Sequence, residues 1–169
     1  GRGGMAVSKD EFRKMLGRFA TGVTVVTVAG EDGQVHGMTA NAFTSVSLVP
    51  PLVLICVDHD SRTHPLLSQQ ESFGVNVLGE DQEAVASYYA DPSHTHEIAA
   101  GLGVEYCTSE GGAPLLRPCL AQIACRKVAA HEAGDHTIFI GEAGQVEAGE
   151  GKPLLFFGGK YGRLDGGAS

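Results

Sequence analysis

Apolar residues recur with the helical period at the start of the chain and with the strand period over most of the remainder. Ser8 and Glu11 form a capping box before a stripe of large apolar side chains, which predicts a first helix over Lys9 to Phe19. Thr21 to Val28 is rich in valine and threonine, and the turn dipeptide Asp32-Gly33 follows it. This part of the sequence therefore predicts one helix and then an antiparallel hairpin.

The rest of the chain predicts mostly strands. Leu52 to Val57 is a short continuous apolar run after two prolines, which is typical of a strand buried on both faces. Other strand patterns cover Ser72 to Leu78, Leu120 to Ala129, Thr137 to Glu147 and Pro153 to Phe157. Short helices are predicted after Ser61-Arg62-Thr63 and over Glu80 to Tyr89, and the polar stretch Ala90 to Gly112 is expected to be a surface excursion. Many strands with few helices indicate a closed or sandwiched antiparallel sheet.

Length and composition fit one turn-rich globular domain. The chain has 169 residues, 24 of them glycine, and 7% aromatic residues, so it is long enough to bury a core and favours the β class. We expect the domain to span residues 8–165. Residues 1–7 are expected to be a disordered end, with the glycines before Met5 a cloning remnant.

Charge and cysteine usage exclude several classes of partner. A formal net charge of −8 disfavours binding to nucleic acid or to an anionic membrane surface. No apolar run reaches the roughly 20 residues that cross a bilayer, and no signal-peptide core is visible. The four cysteines lack CxxC spacing and are expected to be free thiols. We therefore expect a cytoplasmic protein with no nucleic-acid or membrane partner.

Small polar residues are densest between His36 and Ser47. Strand alternation predicts that one face carries Thr39, Asn41, Phe43, Ser45 and Ser47. Such a neutral row of hydroxyls and an amide suits a planar ligand such as an isoalloxazine ring. An exposed strand face rich in serine and threonine is an equally good interpretation of the cluster alone.

Two shorter motifs carry weaker signals. Ser61-Arg62-Thr63 opens a predicted helix and could bind a phosphate, although an ordinary helix cap explains it as well. Gly134-Asp135-His136 precedes an apolar strand, so a turn could fix His136 against a nicotinamide or a carbonyl, or leave it merely exposed. His94, His96 and Glu97 are metal-ligand types, but nothing at ligand spacing completes a closed site, and no metal is predicted.

Five ordered segments together resemble one family. They are Phe19 to Thr27, Gly37 to Phe43, Ser45 to Ser47, Pro50 to Val53 and Gly134 to His136. In these segments, and over nearly all of Phe12 to Leu164, the chain is similar to the short-chain flavin reductases. Members of that family are the reductase components of two-component flavin-dependent monooxygenases.

The resemblance implies a fold, an activity and an assembly. The fold would be mainly β, an antiparallel split β-barrel that binds FMN and carries a few peripheral helices. The activity would be reduction of FMN or FAD by NADH or NADPH, with transient transfer of the reduced flavin to a partner monooxygenase. The assembly would be a homodimer with flavin sites near the subunit interface.

The resemblance also implies roles for individual residues. The flavin cradle would comprise Met38, Thr39, Ala40, Asn41, Ser45, Val46 and Ser47. A wall near the ring would be formed by Cys56, Val57 and Asp58, and the phosphate contacts by Ser61 and Thr63. Asn76, within the similar segment Gly74 to Leu78, would contact the cofactor, and Tyr161 would lie where the carboxy-terminal segment closes over the site. His136 would be the catalytic residue that contacts nicotinamide.

Two rival functions stay open at the level of sequence. One is a flavoprotein of the same fold that retains its flavin and reduces another bound substrate, such as a corrin or an aromatic compound. The other is a non-catalytic binder of flavin or haem, for which His36, His131 or His136 would be the axial ligand. The choices between FMN and FAD, and between NADH and NADPH, also stay open.

Overall fold

A computed structural model describes residues 6–94 and 101–165, and strands dominate it. The three helices are α1 (Lys9–Leu16), α2 (His64–Gln69) and α3 (Glu83–Ala90). The first six strands are β1 (Thr21–Gly22), β2 (Thr24–Ala29), β3 (Val35–Ala40), β4 (Phe43–Leu48), β5 (Pro51–Asp58) and β6 (Ser72–Val77). The other six are β7 (Glu105–Thr108), β8 (Pro114–Arg117), β9 (Ala121–Ala133), β10 (His136–Ala148), β11 (Leu154–Phe157) and β12 (Lys160–Arg163). The expected mainly β fold with a few helices is confirmed.

The main sheet has seven antiparallel strands in the order β3-β2-β6-β9-β10-β5-β4. Strands β3 and β4 lie at opposite edges of this sheet, yet only Asn41 and Ala42 separate them in sequence. The three Cα–Cα steps from Ala40 to Phe43 span at most about 11 Å, so the sheet must curl until its two edges approach each other at that connection. The described residues record no ladder between β3 and β4, so this barrel is not closed by hydrogen bonds.

Among the described residues, two large hydrophobic clusters and one small one fill the fold. The larger one lies inside the curled sheet, where Ile55, Phe73 and Phe139 are at most 1% exposed. The second lies between the sheet and α3 and includes Val85 and Tyr89. Helix α3 packs closely on β3 because Gly37 has no side chain: a Cβ there would lie 2.6 Å from the Tyr89 ring. The absence of one side chain therefore sets the distance between α3 and the barrel.

Several predicted boundaries and burial patterns are corrected. The β5 strand alternates between buried and half-buried residues, so it is not buried on both faces; Leu54 and Cys56 face outward. The expected surface excursion contains β7, which pairs with the buried strand β8. Strand β12 has no counterpart in the sequence prediction, and α1 ends at Leu16 rather than at Phe19. Each missed strand is four residues long, too short for a clear alternation signal.

The capping box of α1 is present as predicted. The Glu11 backbone N–H donates to Ser8 Oγ at 3.1 Å, and the Ser8 backbone N–H donates to the Glu11 carboxylate at 3.3 Å. The apolar stripe behind it is not buried, since Phe12, Met15 and Leu16 are each more than half exposed. No described helix has the length and apolarity that a membrane crossing requires. The expected remnant at Gly1 to Gly4 lies outside the described residues.

Candidate functional site

The polar row predicted between His36 and Ser47 is divided into two strands. The chain leaves β3 at Ala40 and enters β4 at Phe43, so the alternation does not run through Asn41. A bulge at Val46 shifts the register again, which places Ser45 opposite buried Val53 and Ser47 opposite Leu52. The predicted single face of five positions, four of them polar, is therefore wrong, because a strand break and a bulge each change the phase of the side chains.

The β3 part of the predicted cradle faces two different neighbours. Met38 and Ala40 pack against the barrel cluster, whereas Thr39 faces α3 and donates its hydroxyl to the Ala86 carbonyl at 2.6 Å. Asn41 is exposed at the connection to β4. The one amide of the predicted row is thus accessible to a ligand.

Ser61 and Thr63 lie together beside Met38, as the phosphate prediction requires of neighbouring hydroxyls. Their side-chain oxygens are 3.2 Å apart, and Thr63 Oγ1 donates to Met38 Sγ at 3.0 Å. Ser61 Oγ also accepts from the His64 backbone N–H at 3.1 Å. Thr63 stands at the N-cap of α2 but makes no capping hydrogen bond with its side chain. The simple cap explanation therefore does not account for the Thr63 hydroxyl.

These residues line a cleft of about 190 Å³ between β3, the loop before α2 and the end of α3. Its other walls include His36, Tyr89 and His94. Arg62 connects the loop before α2 to the segment after α3 at the rim of the cleft. Its guanidinium donates to the Pro92 carbonyl at 2.6 Å and to the His94 carbonyl at 3.1 Å. The cleft is smaller than the roughly 300–1,000 Å³ that ligand pockets usually have. It holds part of a nucleotide-sized ligand at most.

Strand β4 supplies a different kind of binding group. It is an edge strand of the main sheet, so among the described residues only β5 pairs with it. An edge strand presents backbone N–H and C=O groups that have no ladder partner. Ser45 and Val46 are exposed along this edge, and Ser47 is half-buried. The strand therefore offers neutral donors and acceptors in a row, as a heterocycle edge requires.

His136 is held at the mouth of the barrel by a carboxylate. It is the first residue of β10, opposite Asp58 at the end of β5. Its Nδ1 lies 2.7 Å from Asp135 Oδ1. Because a carboxylate only accepts, a neutral His136 carries its proton on Nδ1 and a lone pair on Nε2. The same interaction lowers the pKa of Asp135, which keeps that acceptor ionised.

Asp58 contacts both His136 and the loop that carries Ser61 and Thr63. It pairs with His136 across the ladder, and its backbone carbonyl accepts from the Ser61 N–H at 3.1 Å. Its carboxylate accepts from the Asp60 N–H at 2.8 Å. One turn therefore fixes the predicted nicotinamide contact and the predicted phosphate contact relative to each other.

Other predicted residues are placed away from the cleft or have their polar groups occupied. Asn76 is fully buried: its amide donates to the Val25 carbonyl, and its oxygen accepts from the Leu116 N–H. Val57 is a core residue at 1% exposure. We therefore leave both side chains out of the proposed site. Tyr161 packs against Phe156, 5.5 Å between ring centroids, in the cluster under α3.

The Cys56 thiol faces outward on β5, paired with Ile138 on β10. Partial burial raises the pKa of this thiol, so it remains protonated at neutral pH. Cys56 is thus suited to serve as a neutral wall and is not a nucleophile.

The sequence interpretation missed several groups that line the cleft. Tyr89 and His94 lie in segments that predict a helix and a surface excursion, and nothing in their local pattern indicates that they line a cleft with Arg62. The sequence suggests a ligand role for His36 only in the haem-binding alternative. Their convergence depends on the packing of α3 over β3, which no short motif encodes.

Residues 16–165 match the family described as the flavin reductase like domain. This chain belongs to that family. The family resemblance inferred from the ordered segments is confirmed.

Relatives of this flavin reductase like domain match it over most of their length. An NADH-dependent flavin reductase from a Rhodococcus species is 41% identical over 161 residues, covering 94% of this chain and 88% of the relative. The reductase component of a 4-nitrophenol 4-monooxygenase/4-nitrocatechol 2-monooxygenase from Rhodococcus opacus is 38% identical over 158 residues, covering 94% of this chain and 82% of the relative.

A solved structure shows the same fold with ligand fragments. It is the NADH:FAD oxidoreductase SgcE6 of Streptomyces globisporus, in complex with NAD and FAD fragments. It matches with a TM-score of 0.84 at 40% identity, covering 98% of this chain and 100% of that chain.

Proposed function

We propose that this chain reduces FMN or FAD with hydride from NADH or NADPH and passes the reduced flavin to a partner monooxygenase. The observation that carries the proposal is the pair of contacts made by the Thr63 hydroxyl, with the Ser61 hydroxyl and with the Met38 sulfur, because they connect a polar loop to the start of the predicted cradle. Relatives named as NADH-dependent flavin reductases, and one named as a monooxygenase reductase component, support the reaction and the partner.

The residues present suit a ligand that has a neutral ring system and a phosphate end, as a flavin nucleotide has. The phosphate end would lie in the cleft of about 190 Å³, against Ser61 and Thr63. The pyrimidine edge would lie along β4, whose backbone donors and acceptors at Ser45 to Ser47 have no ladder partner among the described residues. N–H groups in that position stabilise negative charge on a reduced ring without a lysine or arginine.

The chemistry needs little from the protein beyond alignment. A bound flavin would accept the hydride at its N5, and the protein must hold the nicotinamide ring at roughly 3 to 3.5 Å from it. His136 is the proposed positioning contact. With Nδ1 committed to Asp135, its Nε2 can accept a hydrogen bond from the carboxamide N–H of nicotinamide.

We also propose a homodimer whose interface completes the site. The cleft alone is too small for a flavin. Apolar side chains are exposed at the end of β4, where Leu48 and Val49 are 89% and 92% exposed. A partner subunit that packs on this end of β4 would cover the strand that carries the proposed ring contacts. We place the protein in the cytoplasm because all four cysteines are free thiols.

The direct test is anaerobic turnover. NADH and NADPH are each mixed with FMN and with FAD, and loss of absorbance at 340 nm is compared with and without the protein. The proposal expects protein-dependent oxidation of at least one nucleotide by added flavin. Yellow protein that retains flavin through gel filtration and ignores added flavin would support the rival that reduces another bound substrate. A Soret band would support the haem binder.

A further inference from the structure

Three side chains of metal-ligand type converge beside α2, outside the proposed flavin contacts. Among residues 6–94 and 101–165, the ligand atoms of His59, His64 and Glu132 all lie within 4.8 Å of one another. His59 Nε2 is 2.6 Å from Glu132 Oε2. The two imidazole rings meet edge to face, with centroids 5.1 Å apart. Residues from a loop, a helix and a long strand therefore each bring one ligand atom into the same small volume.

A buried hydroxyl, that of Thr137, lies within hydrogen-bond distance of all three side chains. Thr137 is 1% exposed, and its Oγ1 donates to Glu132 Oε1 at 2.9 Å. The same oxygen lies 2.7 Å from His64 Nε2 and 3.2 Å from His59 Nε2. Carboxylates that ligate metals are commonly hydrogen-bonded by a second group that fixes their orientation. Thr137 already performs that task for Glu132.

The donor set selects one class of ion. Two imidazoles and one carboxylate suit zinc and neighbouring late transition metals, whereas magnesium and calcium prefer oxygen donors throughout. Donors of a tetrahedral zinc ion lie about 3.3 Å apart, given bond lengths near 2.0–2.1 Å. Separations of up to 4.8 Å are thus within reach of small side-chain rotations. The side chains of His59 and Glu132 are 37% and 70% exposed, so an ion can enter from solvent.

We propose that His59, His64 and Glu132 form a binding site for Zn²⁺ or a similar late transition-metal ion, with solvent as the remaining ligand. Such an ion links the loop between β5 and α2 to the end of β9. That loop also carries Ser61 and Thr63. The site needs neither flavin nor nicotinamide, so its test is independent of the proposed function.

Calorimetric titration of the chelator-treated full chain with Zn²⁺ tests the site, and the d–d absorption of Co²⁺ provides a second readout. The variants are His59→Gln, His64→Gln, Glu132→Gln and the triple combination. His131→Gln is the matched control, because His131 is an exposed histidine next to Glu132 on the same strand. Circular dichroism and thermal melting show which variants are folded before titration.

The proposal expects one saturable Zn²⁺ site per wild-type chain, the same affinity in His131→Gln, and at least tenfold weaker binding in each single variant. Zn²⁺ should raise the melting temperature of wild type and of the control but not of the triple variant. Thr137→Val keeps the side-chain shape and should weaken binding about 10- to 100-fold. Absence of one-to-one binding in wild type would overturn the proposal. So would equal affinity in wild type and the folded triple variant, or a loss in His131→Gln as large as in Glu132→Gln.

Discussion

Asp135 and His136 are consecutive residues at the mouth of the barrel, and Asp135 Oδ1 lies 2.7 Å from His136 Nδ1. The turn that brings them together is tight, since Gly134 has φ +63°, a conformation that favours glycine. The carboxylate fixes both the orientation and the tautomer of the ring. It therefore leaves Nε2 as an acceptor for the proposed contact with nicotinamide.

Replacing His136 tests that acceptor. His136→Ala should raise the KM for the reduced nicotinamide roughly tenfold, the usual effect of losing about one hydrogen bond, while the flavin Kd changes little. Steady-state kinetics at saturating flavin and fluorescence titration of flavin give the two numbers. His131→Ala, on the same β9–β10 hairpin, serves as the control. An unchanged nicotinamide KM in His136→Ala would reject the positioning role.

Thr63→Val should weaken flavin binding. Valine keeps the buried shape but removes the hydroxyl that contacts Ser61 Oγ and Met38 Sγ. Because Thr63 makes no side-chain capping bond to α2, the helix keeps its N-terminal hydrogen bonds. The expected result is a roughly tenfold higher Kd for FMN or FAD, measured by quenching of flavin fluorescence.

Thr108→Val on β7 is the control for the loss of a threonine hydroxyl elsewhere. Its flavin affinity should equal that of wild type. If Thr63→Val also binds flavin with wild-type affinity, the phosphate contact lies elsewhere.

Arg62 should control the order of the cleft rim. Arg62→Met retains much of the aliphatic stem and loses the hydrogen bonds to the Pro92 and His94 carbonyls. Amide hydrogen exchange in the segment after α3 should accelerate roughly tenfold, because about 1–2 kcal/mol of local stability is lost. Arg13→Met on the exposed face of α1 should leave that segment unchanged. Equal exchange in both variants would mean that Arg62 does not hold the rim.

Gly37→Ala should separate α3 from the barrel. The added Cβ would lie 2.6 Å from two carbons of the buried Tyr89 ring, so the ring or the helix must move. The free energy of unfolding should fall by about 1–3 kcal/mol, measured by urea denaturation. Gly22→Ala is the matched control, because nothing lies within 4 Å of its added Cβ; its stability should stay within about 0.5 kcal/mol. Equal stability of the two variants would contradict this packing.

The sequence was informative where chemistry and structure are both local. The capping box at Ser8, the hairpin turn at Gly33 and the run from Ser61 to Thr63 each depend on a few consecutive residues, and the structure contains each of them. The expected class of activity came from the resemblance to a family, because several motifs in a fixed order identify a family far more specifically than any one motif does.

The features that the sequence does not predict depend on contacts between distant segments of the chain. The break between β3 and β4 follows from the curl of the sheet, and the bulge at Val46 follows from pairing with β5. Likewise, His59 and Glu132 are 73 residues apart and meet only through the ladder of β5, β10 and β9. The periodicity of hydrophobic residues does not indicate which distant segments will come into contact.

Hydride transfer from nicotinamide to flavin on this chain is the central claim, and anaerobic single-turnover stopped flow measures it most directly. Protein pre-mixed with one equivalent of FMN or FAD is mixed with NADH, and absorbance is followed at 340 and 450 nm. The account predicts that both absorbances fall together, one flavin reduced per NADH oxidised, at a rate far above that of free flavin. Absorbance at 450 nm that decays no faster than in the protein-free mixture, with both flavins and both nucleotides, would contradict it.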